Sequence, residues 1–282
     1  MMACSKEEFD SLVSLLDDED LVVKECVMRR LASLGTPVVK DLRTVGGHAA
    51  ADSLAAQFCL EEFKDLPRRA GGLPLLKACS AVSPLFDRGF DRALFEDNFL
   101  KMASEYAAEA SDQRTAVENI RIFNHIFYRR LGFAVYDLEL SDPSYAMLGK
   151  VMQSRGGNPF AIALLYYMMA QVGGLPLRVI CFPGGCLPVY IEGGRELFYI
   201  NVLRGGEILH RERLQEFIAA MGIRIGSEAF SLKDEKAMMT IYLESLQVVF
   251  SEEALPLQMR TLEQILDLLG PERYLTVDED RL

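Results

Sequence analysis

The sequence predicts an α+β protein that is mostly helical, with a small antiparallel β-sheet packed on one buried helix. Three observations carry this. Apolar residues recur at helical spacing through most of the first 131 positions, most clearly Val117, Ile120, Phe123, Phe127 and Leu131. A strongly apolar run then extends from position 159 to 177, interrupted by Gly173-Gly174 and Pro176. It is too short to span a membrane and reads as a helix buried on all sides. Beyond it the period shortens: 177–182, 186–191 and 196–201 are runs rich in Val, Ile, Leu, Tyr and Phe, separated by Pro183-Gly184-Gly185 and Gly193-Gly194. That is the pattern of three strands in an antiparallel meander.

In chain order, Ser5 followed by Glu8 is a capping box, and Phe9, Leu12, Val13 and Leu16 continue at helical spacing. The acidic cluster 17–20 favours the positive end of a second helix carrying Val22, Val23, Cys26, Val27, Leu31 and Leu34, which Gly35 stops. Thr36-Pro37 restarts a third. The stretch LVSLLDDEDLVVKECVMRRLASLGTPVVKDL resembles a HEAT-type helical repeat, of which one copy is visible. A lone repeat cannot bury both faces, so it must lean on the rest of the chain. Helical pattern continues over 49–131, broken at Pro67, Gly71-Gly72 and Ser83-Pro84. Asp142-Pro143 gives a cap and first-turn proline for a helix through Tyr145, Leu148 and Val151 that ends near Gly156. After the meander the chain returns to helix over 210–221, over 233–250 with Ser231 as cap, and over 257–269 before Gly270-Pro271. The expected units are 1–46 (HEAT-like), 47–114 (helical), 115–230 (the α+β core) and 231–282 (C-terminal helices).

Composition excludes several classes. The 282 residues hold 30 Lys+Arg against 41 Asp+Glu, a net charge of −11, and no basic run longer than a pair. Such a surface repels polyphosphate, so neither nucleic acid nor a membrane is an expected partner. Half the residues are apolar, which suits a globular chain able to build its own core. The six cysteines form no C-x-x-C pair, so neither a zinc cage nor a disulfide ladder is indicated, and no metal or cofactor is expected. Positions 1–10 lack an apolar h-region, and reduced thiols fit a cytoplasmic protein. No Gly-Gly pair precedes Lys-Ser/Thr and no G-x-G-x-x-G opens a helix, which removes phosphate-loop readings.

The order buried helix, strand, turn, strand, turn, strand is the layout of a papain-like or transglutaminase-like core. NIRIFNHIFYRRLGF, SRGGNPFAIALLYYMMAQVGGLPLRVICFPGGCL and YINVLRGGEIL resemble, in order and spacing, the SirB-type bacterial proteins with a transglutaminase-like core. The family pattern is a helix ending in F-x-x-x-G-F, R-x-G-x-P before an apolar helix, G-L-P-x-x-x-V-x-x-P-G-H-F, and D-P-F-x-G-G. The resemblance implies an α+β fold with a small sheet on helices, and a biochemical function that is poorly defined in the family itself.

The same resemblance locates a catalytic triad that this chain departs from. P-G-H-F lies over Pro183-Gly184-Gly185-Cys186, placing Gly185 at the histidine, and D-P-F-x-G-G lies over positions 201–206, placing Asn201 at the aspartate. Counting back from Gly174-Leu175-Pro176 as in true transglutaminases, the nucleophilic cysteine falls at Pro159, or at Asn158 in a register shifted by one. Without nucleophile and base, covalent acyl transfer is not expected, because triad members act as a unit. The chain therefore reads as a pseudoenzyme that binds an unidentified protein partner or ligand. Its expected groove is marked by Arg155, Asn158, Cys186 and Asn201, since the amides opening the buried helix suit a carboxylate or phosphate. The alternative is a cysteine hydrolase or acyltransferase rebuilt from Cys186, with Cys181 four residues before the histidine position, and either His125 or His210. It would require a Cys–His pair within about 3 Å.

Overall fold

A computed structural model describes residues 5–16, 18–34, 38, 49–67, 72–111, 113–220, 230–250 and 255–275. Among these it forms eleven α-helices, a four-stranded antiparallel sheet and a two-residue parallel pair, an α+β architecture.

Helix α1 (Lys6–Ser14) is capped by Ser5, whose hydroxyl accepts the Glu8 amide at 3.1 Å. The other half of the expected capping box is not made: the Glu8 carboxylate reaches across to Arg30 on α2 (Leu21–Ser33) at 2.6 Å. Asp20 caps α2 by accepting the Val22 amide at 2.8 Å. The expected stop at Gly35 and the third helix at Thr36-Pro37 lie outside the described residues. Phe9, Val13, Leu16, Val27 and Leu31 pack against Leu54, Ala55 and Phe58 of α3 (Ala49–Lys64) in a small core of their own. The other side of α3, with Ala56, Cys59 and Phe63, enters the main core. One helix thus serves two apolar clusters, and this is how the N-terminal hairpin buries its inner face.

The main core is built from α4 (Leu75–Val82), α5 (Arg92–Ala107) and α6 (Ala116–Asn124) around the central helix α8 (Pro159–Val172). Thr115 and Glu118 form a complete capping box on α6, which widens into a π-helical turn over His125–Arg130. Asp142 caps a 3₁₀ turn, Pro143–Tyr145, and not the longer helix expected there; α7 (Leu148–Ser154) begins separately after it. Arg155 ends α7 in the left-handed conformation at φ 65°. The chain then pairs β2 (Gly156–Gly157) in parallel with β1 (Ala134–Val135). A Cβ at Gly157 would sit 2.8 Å from Val151 and 3.0 Å from Ile162, so only glycine lets the backbone pass here. Every residue of α8 from Ala161 to Ala170 is buried. Each large aliphatic side chain there is worth about 1.5–3 kcal/mol of burial, which is why this run is apolar on all sides.

The sheet runs in the order β3 (Leu177–Phe182), β4 (Gly185–Glu192), β5 (Arg195–Asn201) and β6 (Glu207–Leu209). Three strands were expected; the fourth forms because Gly205 and Gly206, at φ +66° and +76°, turn the chain back onto β5. Alternation divides the sheet into two faces. Val179, Cys181, Tyr190, Phe198 and Ile200 face the main core and α8, with Cys186 half-buried among them. Ile180, Phe182, Leu187, Val189 and Tyr199 face the other way, covered by Leu214 and Ile218 of α9 (Arg211–Ala220). Helix α10 (Glu235–Val249) packs against β3, β4 and α8, and α11 (Pro256–Leu269) packs on it. The cap of α10 is Asp234 rather than Ser231, because Lys233 is drawn into an antiparallel bridge with Val179 that delays the helix.

Candidate functional site

The central helix opens on Asn158 and Pro159, the positions expected for the nucleophile by counting back as in true transglutaminases. Both act here as helix-starting devices. Asn158 is fully buried, its Oδ1 accepts the Ala161 amide at 2.8 Å, and its own amide donates to the Tyr145 carbonyl at 2.7 Å. Pro159 occupies the first turn, where a missing N–H costs nothing. The Asn158 Nδ2 has no hydrogen-bond partner among the described residues.

Gly185 opens β4 opposite Phe182. It shares its face with Leu187 and Val189, the face turned away from the central helix, and a Cβ built on it would meet the Phe182 ring at 2.8 Å. The histidine position therefore looks away from the start of α8. Asn201 ends β5 on that same face, two residues beyond Tyr199. It is 1% exposed, and neither its Oδ1 nor its Nδ2 has a partner among the described residues. Groups this deeply buried normally find a partner.

Cys186 points the opposite way from both, into the interior face, with its sulfur 3.5 Å from the Met238 sulfur of α10. Its cross-strand neighbour is Cys181, and both are free thiols. Burial pushes the Cys186 thiol up to about 12 and raises Cys181 further still. His125 and His210 are both exposed, and among the described residues neither donates to or accepts from a cysteine sulfur. A thiol without a base, in apolar surroundings, stays protonated at neutral pH.

Arg155 takes a different course from the groove expected for it. Its guanidinium stacks over Phe133 at 5.2 Å and lies against the Met102 sulfur at 2.6 Å, on the floor of a cleft of about 310 Å³ that also includes Asn98, Lys101 and Gln153. Burial lowers its pKa, with Glu105 opposing the shift. Of the four expected groove residues, Cys186 and Asn201 thus lie on opposite faces of the sheet, and Arg155 turns toward α5.

A hydrogen-bonded and aromatic network holds the core together. Asn124 accepts from the Tyr166 hydroxyl of α8 at 2.7 Å and donates to the Gly206 carbonyl at 2.8 Å, while Tyr128 donates to the Val202 carbonyl at 2.8 Å. A Cβ at Gly206 would collide with the Asn124 side chain at 2.1 Å. Phe123, Phe127 and Tyr128 ring Tyr166, the two phenylalanines edge-on at 4.8 and 5.1 Å, and Phe133 stacks on Phe127 at 4.7 Å. The partners of Asn124 cannot be read from the sequence, because a contact over 82 residues leaves no local signal.

A sequence profile described as the transglutaminase-like superfamily matches residues 95–243, more than half of the chain. The chain belongs to that superfamily. The matched span includes the aromatic ring around Tyr166, the central transglutaminase-like helix and all four strands of the sheet. Among curated proteins the chain is similar to two described as UPF0162 protein from Xylella fastidiosa. It is 27% identical to that of strain 9a5c over 45% of this chain, and 29% identical to that of strain Temecula1 / ATCC 700964 over 36%. The matches cover 46% and 39% of those relatives, less than half of either. No solved structure matches significantly. Among the described residues no three of His, Cys, Asp and Glu gather as a metal site, and no helix is long and apolar enough to cross a membrane.

Proposed function

We propose that this chain is a transglutaminase-like protein without acyl-transfer catalysis, of SirB type, whose role is to bind a protein partner or ligand. The single observation that carries this is the setting of Cys186. The thiol next to the histidine position lies against a methionine sulfur in apolar packing, while His125 and His210 sit on the exposed surface. Three further features support it. Pro159 and Asn158 serve the helix start, Gly185 faces away from it, and Asn201 has no imidazole to orient. A binding role draws support from Arg155, a half-buried guanidinium with no carboxylate in ion-pair distance among the described residues, on the floor of its own cleft. The HEAT-like N-terminal unit offers a second surface of the same proposed kind, with Leu21 and Val22 exposed.

The test is the pH profile of Cys186 alkylation by iodoacetamide, followed by peptide mass spectrometry. The expected rate is slow at neutral pH and climbs only above the ordinary thiol value of about 8.5. Rapid labelling near pH 6 that disappears in His125→Ala or His210→Ala would establish a rebuilt Cys–His dyad, and with it the hydrolase or acyltransferase reading.

A further inference from the structure

A cleft of about 690 Å³ lies between the start of α10, the outer edge of β3 and the turn after α11. It is distinct from the Arg155 cleft, and no residue of the triad positions lines it. Its size falls in the range of small-molecule sites, about 300–1,000 Å³.

The charges lining it are unevenly committed. Lys233 is paired with Glu272 at 2.8 Å, and Glu272 also accepts from the Tyr274 hydroxyl. Asp234 is committed to capping α10, accepting the Lys236 amide at 2.9 Å. That leaves Arg178 on the β3 edge and Lys236 in the first turn of α10, neither with a carboxylate in ion-pair distance among the described residues. Both belong to a chain whose net charge is −11, where acids to pair with are plentiful.

The second, independent feature is Thr240, one turn further along α10. It is 4% exposed and lines the cleft, and its hydroxyl has no hydrogen-bond partner among the described residues. In the same chain Thr261 bonds back to the Leu257 carbonyl at 2.9 Å, the usual resort of a helical threonine. Thr240 makes no such bond among the described residues, and its side chain lines the cleft. Leu232, Ala237, Leu269 and Pro271 supply apolar wall.

We propose that this cleft is a binding site for a small organic anion, with its carboxylate or phosphate between Arg178 and Lys236. The Thr240 hydroxyl contributes one hydrogen bond, and the ligand's apolar body lies against Leu232 and Leu269. Two cations recognise the charge, and the single buried hydroxyl orients it; an apolar wall favours an organic ester or acid over a bare ion. The inference goes beyond the absence of catalysis and does not depend on the triad positions.

Isothermal titration of the full chain tests it, with phenyl phosphate and benzoate as probes and inorganic phosphate as the ion lacking an apolar body. One saturable site is expected for at least one aromatic probe, bound at least about tenfold more tightly than inorganic phosphate. A site preferring benzoate assigns a carboxylate, and one preferring phenyl phosphate assigns a phosphate ester. Arg178→Ala and Lys236→Ala should each weaken binding about tenfold, and Thr240→Val about threefold, with Arg195→Ala as an unaffected control. Arg178 is exposed and Lys236 half-buried, so both variants should keep the fold, as circular dichroism will verify. No saturable binding of either aromatic probe to the unaltered chain, or binding that persists in the Arg178→Ala/Lys236→Ala double variant, would overturn the proposal.

Discussion

At the scale of single residues, what distinguishes this chain is which motif positions it keeps. Gly157 and Gly206 are places where a Cβ has no room, and Asn124, Tyr128 and Tyr166 tie the turn at 202–206 to two helices. The positions that would carry chemistry hold a proline, a glycine and an unpartnered asparagine. Gly206→Ala separates two effects, because Gly174 has a similar φ of +82° but no atom within 4 Å of its would-be Cβ. Gly174→Ala should cost about 1 kcal/mol from the left-handed backbone alone. Gly206→Ala should cost about 1–3 kcal/mol more, from the forced collision with Asn124. Urea unfolding of both variants measures the difference, and equal costs would mean that Asn124 yields freely. The residue types at 159, 185 and 201 can be read from the sequence directly. The face on which Gly185 lies cannot, since strand parity depends on where β4 begins.

Among elements, the sheet and the segment after α11 show what periodicity can and cannot reveal. The meander was legible from alternation and its glycine turns. Strand β6 was missed because three residues are too few to alternate, and the cap of α10 was misplaced because the bridge between Val179 and Lys233 is a long-range contact. Glu244 is a similar case: a carboxylate in an apolar helix, 3% exposed, it accepts the amides of Tyr274 at 3.0 Å and Leu275 at 2.9 Å. It clamps the end of the described chain onto α10. Burial raises its pKa, with those two amides opposing. For a carboxyl raised in the folded state, the stabilising contribution is complete below the unfolded pKa and is lost as pH rises through the folded one. Glu244→Gln should therefore flatten the decline of stability as pH rises above the ordinary glutamate value of about 4.3, seen as a smaller shift of the urea midpoint. It should also speed hydrogen exchange at Tyr274 and Leu275, since one acceptor oxygen then serves two amides. An unchanged midpoint profile with unchanged exchange would show that the clamp contributes nothing.

Across the whole molecule, an acidic chain with a net charge of −11 folds as a largely helical protein around a transglutaminase-like core. The N-terminal hairpin keeps its own small core and joins the rest through α3, a helix shared by both clusters. Sequence reading anticipated that such a hairpin must lean on a neighbour, but not which helix would receive it. The two clefts, floored by Arg155 and by Thr240, were also invisible in sequence. Arg155 was expected at the start of α8, and only its left-handed φ turns it toward α5; Arg178, Lys236 and Thr240 come from elements 58 residues apart. The proposal that the superfamily fold is kept here without its acyl-transfer chemistry can be assayed by following incorporation of a fluorescent primary amine into a glutamine-bearing protein substrate, together with release of ammonia, for the unaltered chain and for Cys186→Ser. The expected result is product no faster than in the protein-free control, and no difference between the two chains. Turnover above that control that is abolished in Cys186→Ser would contradict it.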